Sequence, residues 1–214
     1  MHVSHLDPNG LGRAAVLIPL RSLGDGKARL ADALDLDERR RLIEQMARNV
    51  LQAANGLDVL VVHDDADVEA WATSHGAFTL RPETPGLNEA VSAGKEHLRC
   101  AGYGRVIIAH ADLPFAEDLK VMCTDDQIAI APDRQRDGTN VLALRADLDF
   151  TFAYGPNSFT RHIDHARSLG IDPRIVDEPG LAWDVDHPDD LPPSLTNERE
   201  NTPTTSEESH AGNH

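Results

Sequence analysis

Residues 14–30 run Ala-Ala-Val-Leu-Ile-Pro-Leu-Arg-Ser-Leu-Gly-Asp-Gly-Lys-Ala-Arg-Leu. The opening segment, Ala14–Leu20, is apolar throughout and lacks the polar alternation of a strand that is wet on one face. It predicts a continuous apolar strand. The run is far shorter than the roughly 20 apolar residues that a membrane-spanning helix needs. The chain then changes character: Arg21, Lys27 and Arg29 fall in one short loop with Gly24 and Gly26. Glycine lets backbone N–H groups approach an anion, and Lys and Arg supply charges suited to phosphate oxygens. Two common phosphate motifs do not fit. Ala28 follows Lys27 where a P-loop requires Ser or Thr. Arg29 holds the place of the third glycine in the dinucleotide fingerprint. An ordinary solvated turn is the plain alternative.

On either side of this stretch, short β-like runs alternate with helical patterns. Asp35 with Glu38 forms a capping-box signal. The helix behind it carries Leu42, Met46 and Val50 on one face, with Ile43, Ala47 and Leu51 alongside. Strands are expected at Asp58–His63, Phe78–Arg81, Arg105–Ala109, Ile128–Ala131, Asn140–Leu144 and Pro173–Val176. Helices are expected near Ala66–His75, Asn88–Arg99 and Phe159–Leu169. This alternation predicts an α/β fold, a single Rossmann-like domain whose mixed, mostly parallel sheet is flanked by helices. In such sheets ligands sit beyond the carboxyl ends of the strands, so the loops after the strands are where chemistry is expected.

The composition narrows the function classes. Asp and Glu number 36 against 20 Lys and Arg, a formal net charge of −16 over 214 residues. That argues against a broad nucleic-acid or anionic-membrane surface, and it leaves room for one small phosphate ligand held by a few local cations. Cys100 and Cys123 are too few for a disulfide framework or a cysteine-rich zinc site. They read as two reduced thiols. Residues 1–12 form a polar leader without the apolar core of a signal peptide. From about Pro192 the chain is polar to His214, the pattern of a disordered tail, in which His210 and His214 are solvated filler. Residues 13–191 are then the folded domain, and the expected location is the cytoplasm. Only Lys27, Lys95 and Lys120 are lysine, and Ala and Asp are plentiful, a composition typical of GC-rich bacterial genomes.

Several loops carry chemistry-bearing residues. His110-Ala111-Asp112-Leu113-Pro114 places a carboxylate just after an apolar strand, a common position for a Mg²⁺ ligand; the alternative is a cap for the next helix. Asp184 and Asp186 stand two apart in Gly180-Leu181-Ala182-Trp183-Asp184-Val185-Asp186. In extended backbone they share a face, where like charges repel unless a cation lies between them. Asp189 and Asp190 read as first-turn residues of a helix starting at Pro188. Arg134 to Asn140 and Tyr154 to Phe159 resemble ligand loops, with Ser158 a natural N-cap at an anion-binding helix start. Pro85-Gly86-Leu87-Asn88 opens another helix in the same way. His162 and His165 are spaced for one helix face, lack a third ligand and read as a surface pair. No serine elbow and no Cys–His nucleophile pattern is present.

Taken in order, these segments resemble the phosphoenolpyruvate / 2-phospho-L-lactate guanylyltransferases of deazaflavin coenzyme F-420 biosynthesis, which are nucleotidyltransferases with a glycosyltransferase-A-like fold. The matching residues are Lys27-Ala28-Arg29-Leu30, Pro85-Gly86-Leu87-Asn88, Ala111-Asp112-Leu113-Pro114 and Ala131-Pro132-Asp133-Arg134. They continue with Gly138-Thr139-Asn140, Gly155-Pro156-Asn157-Ser158-Phe159, Pro179-Gly180-Leu181 and Asp184-Val185-Asp186. The resemblance implies that Arg21, Lys27 and Arg29 hold the triphosphate of GTP, with Gly86 and Asn88 near the nucleoside. It implies Mg²⁺ on Asp112, Asp184 and Asp186, and the acceptor's phosphate on Thr139, Gly155 and Ser158. Lys27, Arg29 and Asp112 would then serve the chemistry itself. Arg21 departs from a common Lys, and Asn157 from a common Gly, which Asn tolerates because it accepts left-handed backbone angles. GTP and phosphoenolpyruvate are the implied substrates, the latter favoured over 2-phospho-L-lactate by the bacterial composition. A homodimer and a downstream transferase that receives the product are left open. So are two other readings: a CTP- or sugar-phosphate-specific nucleotidyltransferase, and a catalytically inert nucleotide-binding regulator.

Overall fold

The computed structural model describes residues 12–24, 27–124 and 126–191. The expectations for the polar leader up to residue 11, for the tail from 192 with His210 and His214, and for Asp25 and Gly26 lie outside the described residues. The strands are β1 (Arg13–Pro19), β2 (Asp58–Val62), β3 (Phe78–Leu80), β4 (Tyr103–Ala109), β5 (Ile128–Pro132), β6 (Thr139–Arg145) and β7 (Arg174–Ile175). The helices are α1 (Leu36–Ala53), α2 (Ala66–Ser74), α3 (Leu87–Cys100), α4 (Ser158–Ser168) and the single turn α5 (Pro179–Ala182).

The sheet order is β3-β2-β1-β4-β6-β5-β7. β6 runs antiparallel to both β4 and β5, while the other pairings are parallel. Both faces are covered. Val16 and Ile18 of β1 pack with Ile43, Ala47 and Val50 of α1 and with Val68 and Ala72 of α2. Ala15 and Leu17 pack on the opposite side with Val91 and Leu98 of α3 and, farther along the same layer, Phe159 and Ala166 of α4. Burial on both faces is why β1 reads as a continuous apolar run.

Local signals set the helix starts. The Asp35 carboxylate accepts from the Glu38 N–H, and Glu38 accepts in return from the Asp35 N–H, closing the expected capping box on α1. Such a cap contributes about 1 kcal/mol. α3 lies tight on the sheet at Gly94, where a Cβ would come within 2.2 Å of Leu17 Cδ1 and 2.8 Å of Val62 Cγ2. Among the described residues, no helix is long and apolar enough to cross a membrane, and no disulfide joins Cys100 or Cys123.

Candidate active site

β1 and β4 are parallel neighbours, yet the chain leaves β1 toward β2 and leaves β4 toward the other half of the sheet. The crevice at the carboxyl ends of such a pair is open because the two connections diverge, and it is the usual ligand position of an open α/β sheet. A cavity of about 800 Å³ lies there. Its walls are the loop after β1 (Arg21, Ser22, Lys27), the loop after β4 (His110, Ala111, Asp112), Asp64 and Asp65 after β2, and Leu87 at the start of α3.

The loop after β1 is anchored by Leu30, which is buried with Leu42 and Met46 of α1 and with Val185. Lys27 precedes Leu30 in left-handed backbone, φ 58°. This turn aims its side chain inward. The Lys27 ammonium donates to Asp112 Oδ2 at 2.5 Å and to Asp186 Oδ1 at 2.7 Å. Burial alone would lower the Lys27 pKa; the Asp112 and Asp186 charges outweigh it and leave it raised. Asp112 is largely shielded from solvent, which would raise its pKa, but Lys27 and the nearby His110 hold it below the usual carboxylate range.

The two other loops are tied to this point. Asn49 of α1 donates to the Pro114 carbonyl at 2.8 Å, and the Val185 N–H donates to the Asp112 carbonyl at 3.3 Å. Gly180 allows α5 to touch the loop after β4: a Cβ there would lie 2.3 Å from the Phe115 carbonyl oxygen. The buried Asn140 of β6 donates to the Leu181 carbonyl at 3.0 Å and lies 3.4 Å from Asp184 Oδ1. Burial and then the Asp112 charge push the Asp184 carboxyl upward.

Asp189 and Asp190 fall in the expected turn, a 3-10 helix at Pro188–Asp190. Asp190 does more there than complement a dipole. Its carboxylate reaches back to accept from the Asp186 N–H at 3.0 Å and the His187 N–H at 2.7 Å, and it pairs with Arg134. Arg134 in turn lies 3.9 Å over the ring of Trp183. The segment that carries Asp184 and Asp186 is therefore clamped at its far end. Asn140 and Asp190 are thus positioning residues; the sequence places Asn140 only within a ligand loop and gives Asp190 only a helix-dipole role.

Lys27, Asp112, Asp184 and Asp186 thus come together. Arg21 sits on the cavity wall with an almost fully exposed side chain, 3.7 Å from Asp64. Arg29 is exposed on the 3-10 turn that follows Lys27. Gly86, at φ 125°, caps the start of α3. Asn88 Oδ1 accepts from the Tyr154 N–H at 2.7 Å, tying α3 to the loop before α4.

Thr139, Gly155 and Ser158 gather at the start of α4 rather than on the cavity wall. Gly155 has φ 114°. Ser158 is not the N-cap: Asn157 takes that place in left-handed backbone without a side-chain cap. The Ser158 hydroxyl is instead buried and accepts from the Thr139 N–H at 3.0 Å. The expected surface pair His162 and His165 is corrected as well. His162 is fully buried, accepting from the Ala153 N–H at 3.0 Å through Nε2 and lying 3.0 Å from the Thr139 hydroxyl through Nδ1. The start of α4 folds against β6 and covers that face of the helix.

The donor set suits a divalent cation. Asp112, Asp184 and Asp186 carry three acidic groups against one ammonium. Asp112 Oδ1 is buried and meets no hydrogen-bond donor, a costly arrangement for a charged oxygen unless a cation faces it. Among the described residues no three His, Cys, Asp or Glu side chains stand as a finished metal cluster. The arrangement matches the Mg²⁺ habit of using one or two carboxylates together with substrate phosphates.

Comparison with known proteins gives a consistent picture. A family model described as guanylyl transferase CofC like matches residues 14–200. A phosphoenolpyruvate guanylyltransferase from Sphaerobacter thermophilus is 36% identical over 184 residues, covering 82% of this chain and 89% of the relative. A 2-phospho-L-lactate guanylyltransferase from a Methanocaldococcus species is 30% identical over 182 residues, covering 82% and 78%. Among solved structures, a protein from Desulfovibrio desulfuricans described as a nucleotide-diphospho-sugar transferase superposes with a TM-score of 0.66 at 17% identity. That match covers 81% of this chain and 82% of the other, and it bears on the fold alone.

Proposed function

Since the chain belongs to the family of CofC-like guanylyl transferases, we propose that it transfers GMP from GTP to phosphoenolpyruvate. The products are enolpyruvyl-diphosphoguanosine and pyrophosphate, a step of coenzyme F-420 biosynthesis. The observation that carries this reading is the convergence of Lys27, Asp112, Asp184 and Asp186 at the crevice between β1 and β4. A phosphate oxygen of the acceptor attacks the α-phosphorus of GTP, and the bond to the pyrophosphate oxygen breaks. The acceptor's phosphate is already ionised at neutral pH, so the chain need not provide a general base. What it must provide is in-line placement and compensation of two approaching anions.

Lys27 presents a buried ammonium to the triphosphate, with Arg21 and Arg29 adding charge at the rim. Asp112, Asp184 and Asp186 would hold Mg²⁺. When bound, that ion supplies neutralisation of the phosphate oxygens. Asn140 and Asp190 keep Asp184 and Asp186 in place. Thr139, Gly155 and Ser158 shape the turn at the start of α4, and to that turn, outside the cavity lining, we assign the acceptor's phosphate. The same reaction on 2-phospho-L-lactate is the second reading, favoured by the similarity to the Methanocaldococcus relative.

The test is pyrophosphate release from GTP and Mg²⁺ with each acceptor in turn. Release with phosphoenolpyruvate is expected; release only with 2-phospho-L-lactate selects the second reading, and none with either overturns both. A preference for CTP or UTP also counts against guanylyl transfer. Asp112→Ala should lower turnover by a factor on the order of a thousand with the circular dichroism spectrum unchanged. Near-normal turnover in that variant would remove Asp112 from the chemistry.

A further inference from the structure

A nucleotide cavity lined by carboxylates on two sides poses a question of charge. Asp112, Asp184 and Asp186 are matched by Lys27 and by the cation they suit. Asp64 and Asp65, on the wall after β2, are not explained by a triphosphate, which they would repel. Asp65 is committed elsewhere, because its carboxylate accepts the Asp67 N–H at 2.8 Å and caps α2. Asp64 is different. Its side chain is half-exposed in the cavity, and its nearest cation is Arg21, at a loose 3.7 Å. Its backbone is held firmly: the Asp64 carbonyl accepts from Arg81, and the adjacent His63 N–H donates to the Leu80 carbonyl at 3.0 Å. A fixed backbone thus presents an uncommitted acceptor pair to the ligand space.

We infer that the Asp64 carboxylate is the group that reads the base, accepting two hydrogen bonds from the N1–H and N2–H₂ edge of guanine. The inference rests on the reading of the cavity as a GTP site. Its chemistry follows from the donors and acceptors of the bases. Guanine presents two adjacent donors, which a carboxylate matches with its two oxygens. Adenine and cytosine each present a ring-nitrogen acceptor beside the amino donor, so one carboxylate oxygen would face a lone pair. Uracil flanks its single donor with carbonyl oxygens. Leu87, exposed at the start of α3, and Leu20 supply apolar surface on the same cavity for the face of a base. Arg21, with its side chain almost fully exposed and only loosely paired with Asp64, stays available to phosphate.

The test exchanges the acceptor pair for one acceptor and one donor. Asp64→Asn keeps the size of the side chain and turns one oxygen into an NH₂ group. That group opposes guanine's 2-amino group and complements the 2-oxo group of xanthine. Affinity for GTP, XTP and ITP is measured by displacement of a fluorescent GTP analogue, so the readout does not depend on turnover. The wild type should prefer GTP to XTP by at least about a hundredfold, a conservative bound because a site built to hydrogen-bond its ligand rejects a mismatched one by about 10⁴-fold or more. Asp64→Asn should bring the ratio to unity or invert it, and Asp65→Asn should leave it unchanged. If Asp64 only orients Arg21, all three nucleotides weaken together in Asp64→Asn and the ratio stays put; that result overturns the inference. A wild type that binds GTP selectively but releases no pyrophosphate refutes the guanylyl-transfer reading while the ratio still decides the role of Asp64. A wild type without selectivity for GTP overturns the inference itself.

Discussion

His162 offers a sharp quantitative check on the fold around the start of α4. Its ring is fully buried between Thr139 and the Ala153 amide, and Nε2 accepts from that amide. Nδ1 must then carry the proton and donate to the Thr139 hydroxyl. Burial first, and then the charges of Arg161, His110 and His165, push its pKa down from 6.5 to about 4. The folded state therefore refuses a proton that the unfolded chain accepts near its ordinary value. Between these two pH values the unfolded chain binds more protons, so stability rises with pH. The contribution is present above pH 6.5 and is lost as pH falls toward 4. Between pH 7 and pH 5 the loss from this residue alone is about 2 kcal/mol. His162→Gln retains a neutral acceptor near Nε2 and cannot titrate. Urea unfolding of both proteins at pH 7 and pH 5 should show the wild type losing about 2 kcal/mol more than the variant on acidification. The other histidines and the carboxylates cancel in this double difference. Equal losses in the two proteins would refute the burial argument.

Two further expectations concern packing and loop placement. Gly94→Ala places a Cβ against Leu17 and Val62 and should destabilise the protein by about 1–3 kcal/mol in denaturant titration, despite the better helix propensity of alanine; unchanged stability would show that α3 can lift off the sheet freely. Asp190→Ala removes the acceptor of the Asp186 and His187 amides and should raise the Mg²⁺ concentration needed for half-maximal pyrophosphate release by about tenfold or more. An unchanged Mg²⁺ requirement would mean that the clamp does not govern the metal-binding carboxylates.

Much of this architecture is legible in the amino-acid order because it is local. The capping box of Asp35 and Glu38 lies within one helical turn, and structure and sequence agree on it. β1 reads as apolar because both of its faces are covered, and the expected strands and helices occur with ends that differ by at most two residues. The family resemblance rested on short motifs that sit on the strand ends, where the site lies. What was missed is non-local. The spacing of His162 and His165 fits an exposed helix face equally well, and only the fold of the loop before α4 onto β6 buries the first ring. Ser158 looked like a cap because it stands at a helix start, whereas its hydroxyl is drawn inward by the Thr139 amide.

The α/β alternation and the candidates Lys27, Asp112, Asp184 and Asp186 can be read from short stretches of chain, because period, capping and loop composition act over a few residues. The tertiary structure decided which of them meet. Lys27 is 85 positions from Asp112 and 159 from Asp186, yet its ammonium lies between their carboxylates. That meeting follows from strand order: β1 and β4 are neighbours with diverging connections, and Leu30 with Val185 closes the small core that draws the loops together. Strand order depends on how the two faces of the sheet are covered, a global balance of burial that no short stretch of chain encodes.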